Sequence, residues 1–339
     1  MITVDGSLGE GGGQVLRTSL ALSMVTGRAI RIERIRAGRS KPGLMRQHLV
    51  AVRAAARLSD AIVQGDQLHS QQLTFQPRAV VPGEYHFDIG SAGSATLVLH
   101  TLLPPLLTAA GPSRVVVEGG THNPLAPPFE QFAWSFLPLL EQLGPRVTGR
   151  LERPGFYPAG GGRIVVDVEP SAKLSPLKLL ERGAIRRRHA LSLVARLPLH
   201  IPDRELAVVG RALGLEASDL KMVDCQDTLG PGNVLLFAVE SERLTAVFTA
   251  FGSKGVPAEA VADDAVRQTQ RYLDAGAPVD EHLADQLLVP LSLAGGGIFR
   301  TSKPTGHTLT QIELIPRFLN VAIELRPISE NIVEVTLGP

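Results

Sequence analysis

The chain has 339 residues, enough for two domains or for one large domain carrying an insertion. Its 34 basic and 33 acidic residues nearly cancel, which excludes a generic polyanion binder, and its single cysteine, Cys225, excludes an intramolecular disulfide and a multi-cysteine zinc site. No apolar run approaches the roughly 20 residues of a membrane span, "MITVDGSLGE" does not read as a secretory signal, and 44% hydrophobic residues suit a buried globular core, so a cytoplasmic protein without membrane contact is expected.

In chain order, "MITVDGSLGEGGGQVLRTSLALSMVTG" predicts a short strand, a glycine loop and a helix. The loop lacks the G-x-x-x-x-G-K-[ST] spacing and a convincing G-x-G-x-x-G, so it offers no phosphate-loop lysine. Glu10, ahead of the helix, is a favourable partner for the helix dipole and also a hard oxygen ligand suited to Mg²⁺. Arg17 stands in an otherwise apolar helix, where its charge needs a carboxylate or a phosphate. "RIERIRAGRSKPGLMRQH" then gathers Arg31, Arg34, Arg36, Arg39, Lys41 and Arg46 within sixteen residues. Such a run is a solvated edge or an anion site. Arg36 and Arg39 flank the small pair Ala37-Gly38 and offer planar forks for phosphate. The segment has no interleaved aromatics, so a short phosphorylated end fits it better than a long stacked strand. A second helix is predicted over 43–59.

The same order returns some eighty residues later. "YHFDIGSAGSATLVLHTLLPPLLTAAG" predicts strand, glycine loop and helix; "SRVVVEGG" predicts a strand, and 127–144 a helix. "GFYPAGGGRI" is equally a glycine-rich bulge or a ligand loop. A third copy opens with "GGRIVVDVEP" and resumes at "VDEHLADQLLVPLSLAGGG" and "HTLTQIELIPRFL". The interval 182–275 interrupts it with strands and helices of its own. The expected fold is therefore α/β (α+β), with three repeats at about 1–78, 79–147, and 148–181 plus 276–339 forming one large domain, and 182–275 an inserted small α/β domain. In the third copy, Asp285 and Gln286 form a polar pair on an amphipathic helix. His307 follows a Pro-Thr-Gly turn; a lone histidine is ordinarily structural, but a neutral imidazole on a loop is also a competent nucleophile toward phosphorus. The other histidines show no metal-binding spacing.

Together these stretches resemble the RNA 3′-terminal phosphate cyclase family. The resemblance rests on "GEGGGQVLR", "IRAGRSKPGLMRQHL", "GSAGSATLVL", "GGTHNPLAPP", "GFYPAGGG", "LADQLL" and the His307 segment, in family order over nearly the whole chain. It implies three βαβαββ-type units like the C-terminal domain of translation initiation factor three. It also implies an ATP-dependent conversion of an RNA 3′-phosphate to a 2′,3′-cyclic phosphate. In that scheme His307 carries AMP, and an RNA-pp-A anhydride follows. Transferred residue by residue, Glu10 meets a divalent metal (Mg or Mn) on the ATP phosphates. Arg17, Arg36, Arg39 and Gln47 grip the RNA phosphates. His100, Pro127, His282, Leu283, Ala284, Asp285 and Gln286 line the ATP site. Three positions depart from the family pattern: His100 replaces glutamine, His282 replaces the tyrosine that stacks on adenine, and Pro154 replaces a basic residue. A non-catalytic relative that binds RNA or ribosome-assembly factors is the alternative, but such a protein would be expected to lack the histidine and the arginine set. An enolpyruvyl-transferase-like enzyme, with related repeats, would need no adenylylated histidine.

Overall fold

Short β-branched runs bounded by glycine and proline form the strands, while the longer apolar-periodic stretches form the helices that cover them. The computed structural model describes residues 1–339. The first unit runs β1 (Ile2–Asp5), α1 (Gly13–Thr26), β2 (Ile30–Glu33), α2 (Arg46–Ser59), β3 (Ile62–Gln64) and β4 (Leu73–Gln76). Its sheet has the order β1-β2-β4-β3, with β1 and β2 parallel and the other pairs antiparallel. A parallel pair needs a long crossover, and α1 supplies it.

The second unit repeats this plan with β5 (Glu84–Asp88), α3 (Ala95–Leu106), β6 (Ser113–Gly119), α4 (Phe129–Gln131), a π-turn over Phe132–Phe136, α5 (Leu137–Glu141), β7 (Arg146–Arg153) and β8 (Gly162–Glu169). Its sheet order, β5-β6-β8-β7, is that of the first unit, with the same strand senses. The second unit therefore extends to Glu169 rather than to about 147. The strand "GGRIVVDVEP", expected to open the third repeat, instead closes the second by pairing with β6 from Ser113↔Val168 to Gly119↔Gly162.

The third unit opens with β9 (Leu177–Leu179). The chain then builds β10 (Ile185–Ala195), α6 (His200–Leu213), β11 (Leu220–Asp224), β12 (Gly232–Ser241), β13 (Thr245–Phe251) and α7 (Ala258–Ala275). These strands form their own sheet, β11-β10-β12-β13, whose order differs from that of the repeats. The chain returns through α8 (Glu281–Leu293), β14 (Gly297–Thr301), α9 (Gly306–Leu314), β15 (Ala322–Ser329) and β16 (Ile332–Gly338). The resulting sheet, read from β9, is β9-β14-β16-β15, once more the order of the first unit.

One apolar cluster runs through all three repeats, with Leu20, Leu99, Phe132, Leu287 and Phe299 inaccessible to solvent. Burying one such side chain contributes about 1.5–3 kcal/mol, so the scaffold behind the glycine loops is rigid. The 185–275 segment has a separate cluster that includes Val209, Phe237 and Tyr272. A third, built from Phe156 with Leu193, Val234 and Leu236, ties loop 154–161 to the β10–β13 sheet. No helix is long and apolar enough to cross a membrane.

Candidate active site

The loop before α1, the first helix of the first unit, meets the start of α9, the second helix of the third unit. Glu10, before α1, meets His307, the second residue of α9: Glu10 Oε2 lies 3.0 Å from His307 Nε2. Glycine permits this approach. A Cβ on Gly306 would lie 2.5 Å from Glu10 Oε1. Arg39 Nη2 stands 3.8 Å from the same oxygen. The carboxylate thus meets both an imidazole and a guanidinium.

The nucleophile candidate is firmly placed. Thr305 caps α9 by accepting from Thr308 N at 3.2 Å. One turn after His307, Gln311 Nε2 donates to the Asp285 carbonyl oxygen at 2.9 Å, which ties α9 to α8. Gln14 Nε2, from α1, donates to Asp285 Oδ2 at 2.7 Å. These two amides join three helices at Asp285. Asp280 caps α8 by accepting from the backbone N–H groups of His282 and Leu283 at 2.9 and 3.0 Å.

The surroundings set the protonation states. Burial lowers the His307 pKa, with Glu10 opposing and the Arg17 and Arg39 charges assisting, so the ring is neutral at neutral pH. Burial pulls the Arg17 guanidinium down to about 10, against the attraction of Asp285. Asp285 is raised to about 7 by burial, despite Arg17. None of the Arg17 N–H groups donates to a protein acceptor, although a charge so enclosed needs one. That demand suits an anionic ligand.

A cavity of about 1140 Å³ opens beside these groups, lined by Arg17, His100, Pro127, His282, Asp285, Gln286 and His307. Small-molecule sites usually occupy roughly 300–1,000 Å³, so there is room for more than one small ligand. The Pro127 carbonyl is fixed by a 2.7 Å hydrogen bond from Thr96 Oγ1. Gln286 Nε2 donates to the His282 carbonyl at 3.1 Å. His100 packs on Phe132 and Phe136, at centroid distances of 5.4 and 4.4 Å, and its buried Nε2 has no protein partner.

Other expected site residues lie elsewhere. The side chains of Leu283 and Ala284 have no solvent exposure and belong to the apolar core, because the helix that turns Asp285 toward the cavity turns them away from it. Arg36 Nη1 donates to the carbonyls of Lys41 and Gly43 at 2.7 and 2.9 Å, so one arm of its fork holds its own loop in shape. Gln47 Oε1 accepts from Ser94 N at 3.1 Å, and its amide NH₂ group makes no hydrogen bond within the protein. Sequence reading missed Gln14, Gln311 and His48, and also the cavity wall formed by Thr249, Phe251, Gln268 and Arg271 of β13 and α7. The four-residue spacing of Gln311 from His307 was a usable signal; the distant wall residues gave none.

His48 and His100 make the site acid-sensitive. Burial and the nearby Arg17 charge lower both to about 3, with Arg36 adding to the effect at His48. Each unfolded imidazole has a pKa near 6.5, so the unfolded chain takes up the proton first. The stabilising difference is whole above about 6.5 and is lost as pH falls toward 3, at up to ~1.4 kcal/mol per pH unit for each ring. His100→Gln removes one ring's share. Its unfolding free energy in urea should fall between pH 6 and pH 4 by about 2 kcal/mol less than that of the wild type. Parallel curves for the two proteins would show that His100 is not held neutral.

The family model described as RNA 3′-terminal phosphate cyclase matches residues 8–325. Relatives of that name include one from Koribacter versatilis, 52% identical over 338 residues, covering 100% of this chain and 95% of the relative. Another, from Ectopseudomonas mendocina, is 51% identical over 99% of this chain and 98% of its own. A third, from Salmonella agona, is 48% identical over 98% and 96%.

Proposed function

This chain belongs to the RNA 3′-terminal phosphate cyclase family, and from that premise we propose that it uses ATP to convert RNA 3′-phosphate ends to 2′,3′-cyclic phosphates through an AMP carried on His307. The observation that supports this most is the His307 imidazole, 3.0 Å from Glu10 at the edge of a cavity that also holds the Arg17 guanidinium.

The chemistry runs in three displacements. A lone pair on a His307 ring nitrogen attacks the α-phosphorus of ATP, a P–N bond forms, and the P–O bond to the β-phosphate breaks with pyrophosphate leaving. For Nε2 to be the attacking atom, its proton must reside on Nδ1, since the tautomer that donates to Glu10 has no lone pair there. An oxygen of the RNA 3′-phosphate then attacks the same phosphorus and breaks the P–N bond, leaving an RNA-pp-A anhydride. Finally the neighbouring ribose 2′-OH, losing its proton, attacks the RNA phosphorus and AMP departs. The last step is intramolecular, so orientation supplies most of its acceleration.

Arg17, Arg39, the free arm of Arg36 and the Gln47 amide would hold the RNA phosphates, and His100, Pro127, His282, Asp285 and Gln286 the nucleotide. Leu283 and Ala284 would contribute through backbone alone. No three His, Cys, Asp or Glu side chains come together anywhere in the chain. A single carboxylate beside the nucleophile instead fits a divalent ion shared with phosphate oxygens, with Glu10 as the protein ligand. Such an ion, when bound, offsets charge repulsion at the phosphates. We also read 182–275 as an inserted domain, supported by its separate sheet and apolar cluster. A cytoplasmic setting, where both substrates occur, fits this chemistry.

The test is direct. With ATP and an oligoribonucleotide bearing a 3′-phosphate, the end should become phosphatase-resistant, with one AMP and one pyrophosphate formed per end. A terminal 2′-deoxynucleotide lacks the final nucleophile and should accumulate the adenylylated strand instead. Ends that stay phosphatase-sensitive would overturn the reading.

A further inference from the structure

The loop 154–161 is absorbed by none of the steps above, yet the fold invests heavily in its shape. Phe156 points inward: it is buried, its ring stacks on His122 at 5.3 Å, and it belongs to the cluster that joins the loop to the β10–β13 sheet. Its neighbour Tyr157 is 66% exposed and is the only aromatic among the large exposed apolar side chains. Its hydroxyl makes no hydrogen bond within the protein, and its ring makes no aromatic or cation–π pair. The backbone beneath it is held by Gly160 N donating to the Phe156 carbonyl at 2.7 Å.

The position of this ring is informative. The loop lies against residues 90–94, since a Cβ on Gly160 would be 2.8 Å from Ala92 Cα. The start of α2 touches the same five residues: Arg46 Nη1 donates to the Gly90 carbonyl at 3.2 Å, and Gln47 accepts from Ser94 N at 3.1 Å. Gly90 and Ala92 are two residues apart, about 7 Å at most along the chain. Arg46 is exposed and pairs with no carboxylate, so its charge is available beside Gln47. An exposed cation and a loop carrying an exposed aromatic ring therefore both border one glycine turn next to a proposed phosphate contact.

We propose that Tyr157 and Arg46 form a subsite for the nucleotide immediately upstream of the RNA end, the base stacking on Tyr157 and its phosphate meeting Arg46. This rests on the cyclase reading above. Every base has a stacking face, so the subsite accepts any sequence while favouring a single strand over a duplex end. It also gives the exposed ring of loop 154–161 a partner, since stacking on a base takes its apolar face out of water.

The experiment measures protein–AMP formation and RNA cyclisation separately for the wild type, Tyr157→Ala and Tyr157→Phe. Two 3′-phosphate oligoribonucleotides are compared, one ordinary and one abasic at the upstream position. On ordinary RNA, Tyr157→Ala should raise KM about 10- to 100-fold, while Tyr157→Phe stays within about threefold of the wild type. On the abasic RNA, Tyr157→Ala and the wild type should coincide. A wild-type KM in Tyr157→Ala overturns the subsite. So does an equal loss on both RNAs, which would mark a structural role or a docked protein partner. If the wild type forms neither protein–AMP nor cyclic ends, it is the cyclase reading that has failed.

Discussion

His307→Ala should carry no covalent AMP after incubation with α-labelled ATP and Mg²⁺ or Mn²⁺, a loss of more than about 10⁴-fold relative to the wild type. The size follows from the chemistry, because alanine offers no lone pair and no nearby group can take the imidazole's place. An acyl-phosphate formed on Glu10, 3.0 Å away, would be labile in alkali, where a P–N bond survives. The wild-type label should be acid-labile and alkali-resistant, as a P–N bond requires. Folding should survive the change. His307 is partly exposed, its one ionic partner is Glu10, and surface substitutions of this kind usually move stability by less than about 0.5 kcal/mol. An unchanged melting transition with absent label therefore isolates the chemical role. Label at the wild-type level in His307→Ala would sink the mechanism.

Much of this site was legible because its parts obey local rules. A glycine loop before a helix, an arginine inside an apolar helix and a histidine after a Pro-Thr-Gly turn all break an expected pattern. Local misfits of that kind mark functional positions. Glu10, Arg17 and His307 were readable in this way, and the structure brings them to one place. What stayed hidden depends on pairing across the chain. The boundary between the second and third units was misplaced because "GGRIVVDVEP" has the same alternation whichever sheet it joins. Only its register with β6 decides. Gln14 was invisible for a similar reason: an amide on a helix carries no signal until Asp285 appears opposite it. Leu283 and Ala284 show the converse, since neighbours of a site residue along a helix point elsewhere in space.

The residues proposed to hold the RNA phosphates also separate into different tasks once their partners are known. Arg36 shapes its own loop and Gln47 braces the 90–94 turn, whereas the Arg39 guanidinium makes no hydrogen bond within the protein and lies by the start of α1. There Gly12 is the N-cap without a side-chain hydrogen bond, and the first turn contains no acidic residue. A Cβ on Gly12 would lie 3.1 Å from Arg39 Nη2. Free backbone N–H groups and a guanidinium thus face the same space, an arrangement that favours a phosphate dianion.

Arg39→Ala should accordingly slow cyclisation of RNA 3′-phosphate ends by about 10²–10³-fold, from the loss of charge-assisted hydrogen bonds worth roughly 1.5–3 kcal/mol each. Protein–AMP formation without RNA should change by no more than several-fold, because α-phosphorus attack depends on His307 and the nucleotide contacts. Arg39→Lys should recover only part of the loss, since a point charge replaces a planar fork. Single-turnover measurements starting from preformed protein–AMP resolve the two steps. The 3.8 Å approach of Arg39 to Glu10 gives the experiment its edge. If the guanidinium serves ATP through Glu10 rather than the RNA end, both steps fall together while the melting transition stays in place, and the assignment of Arg39 to the RNA phosphate is wrong.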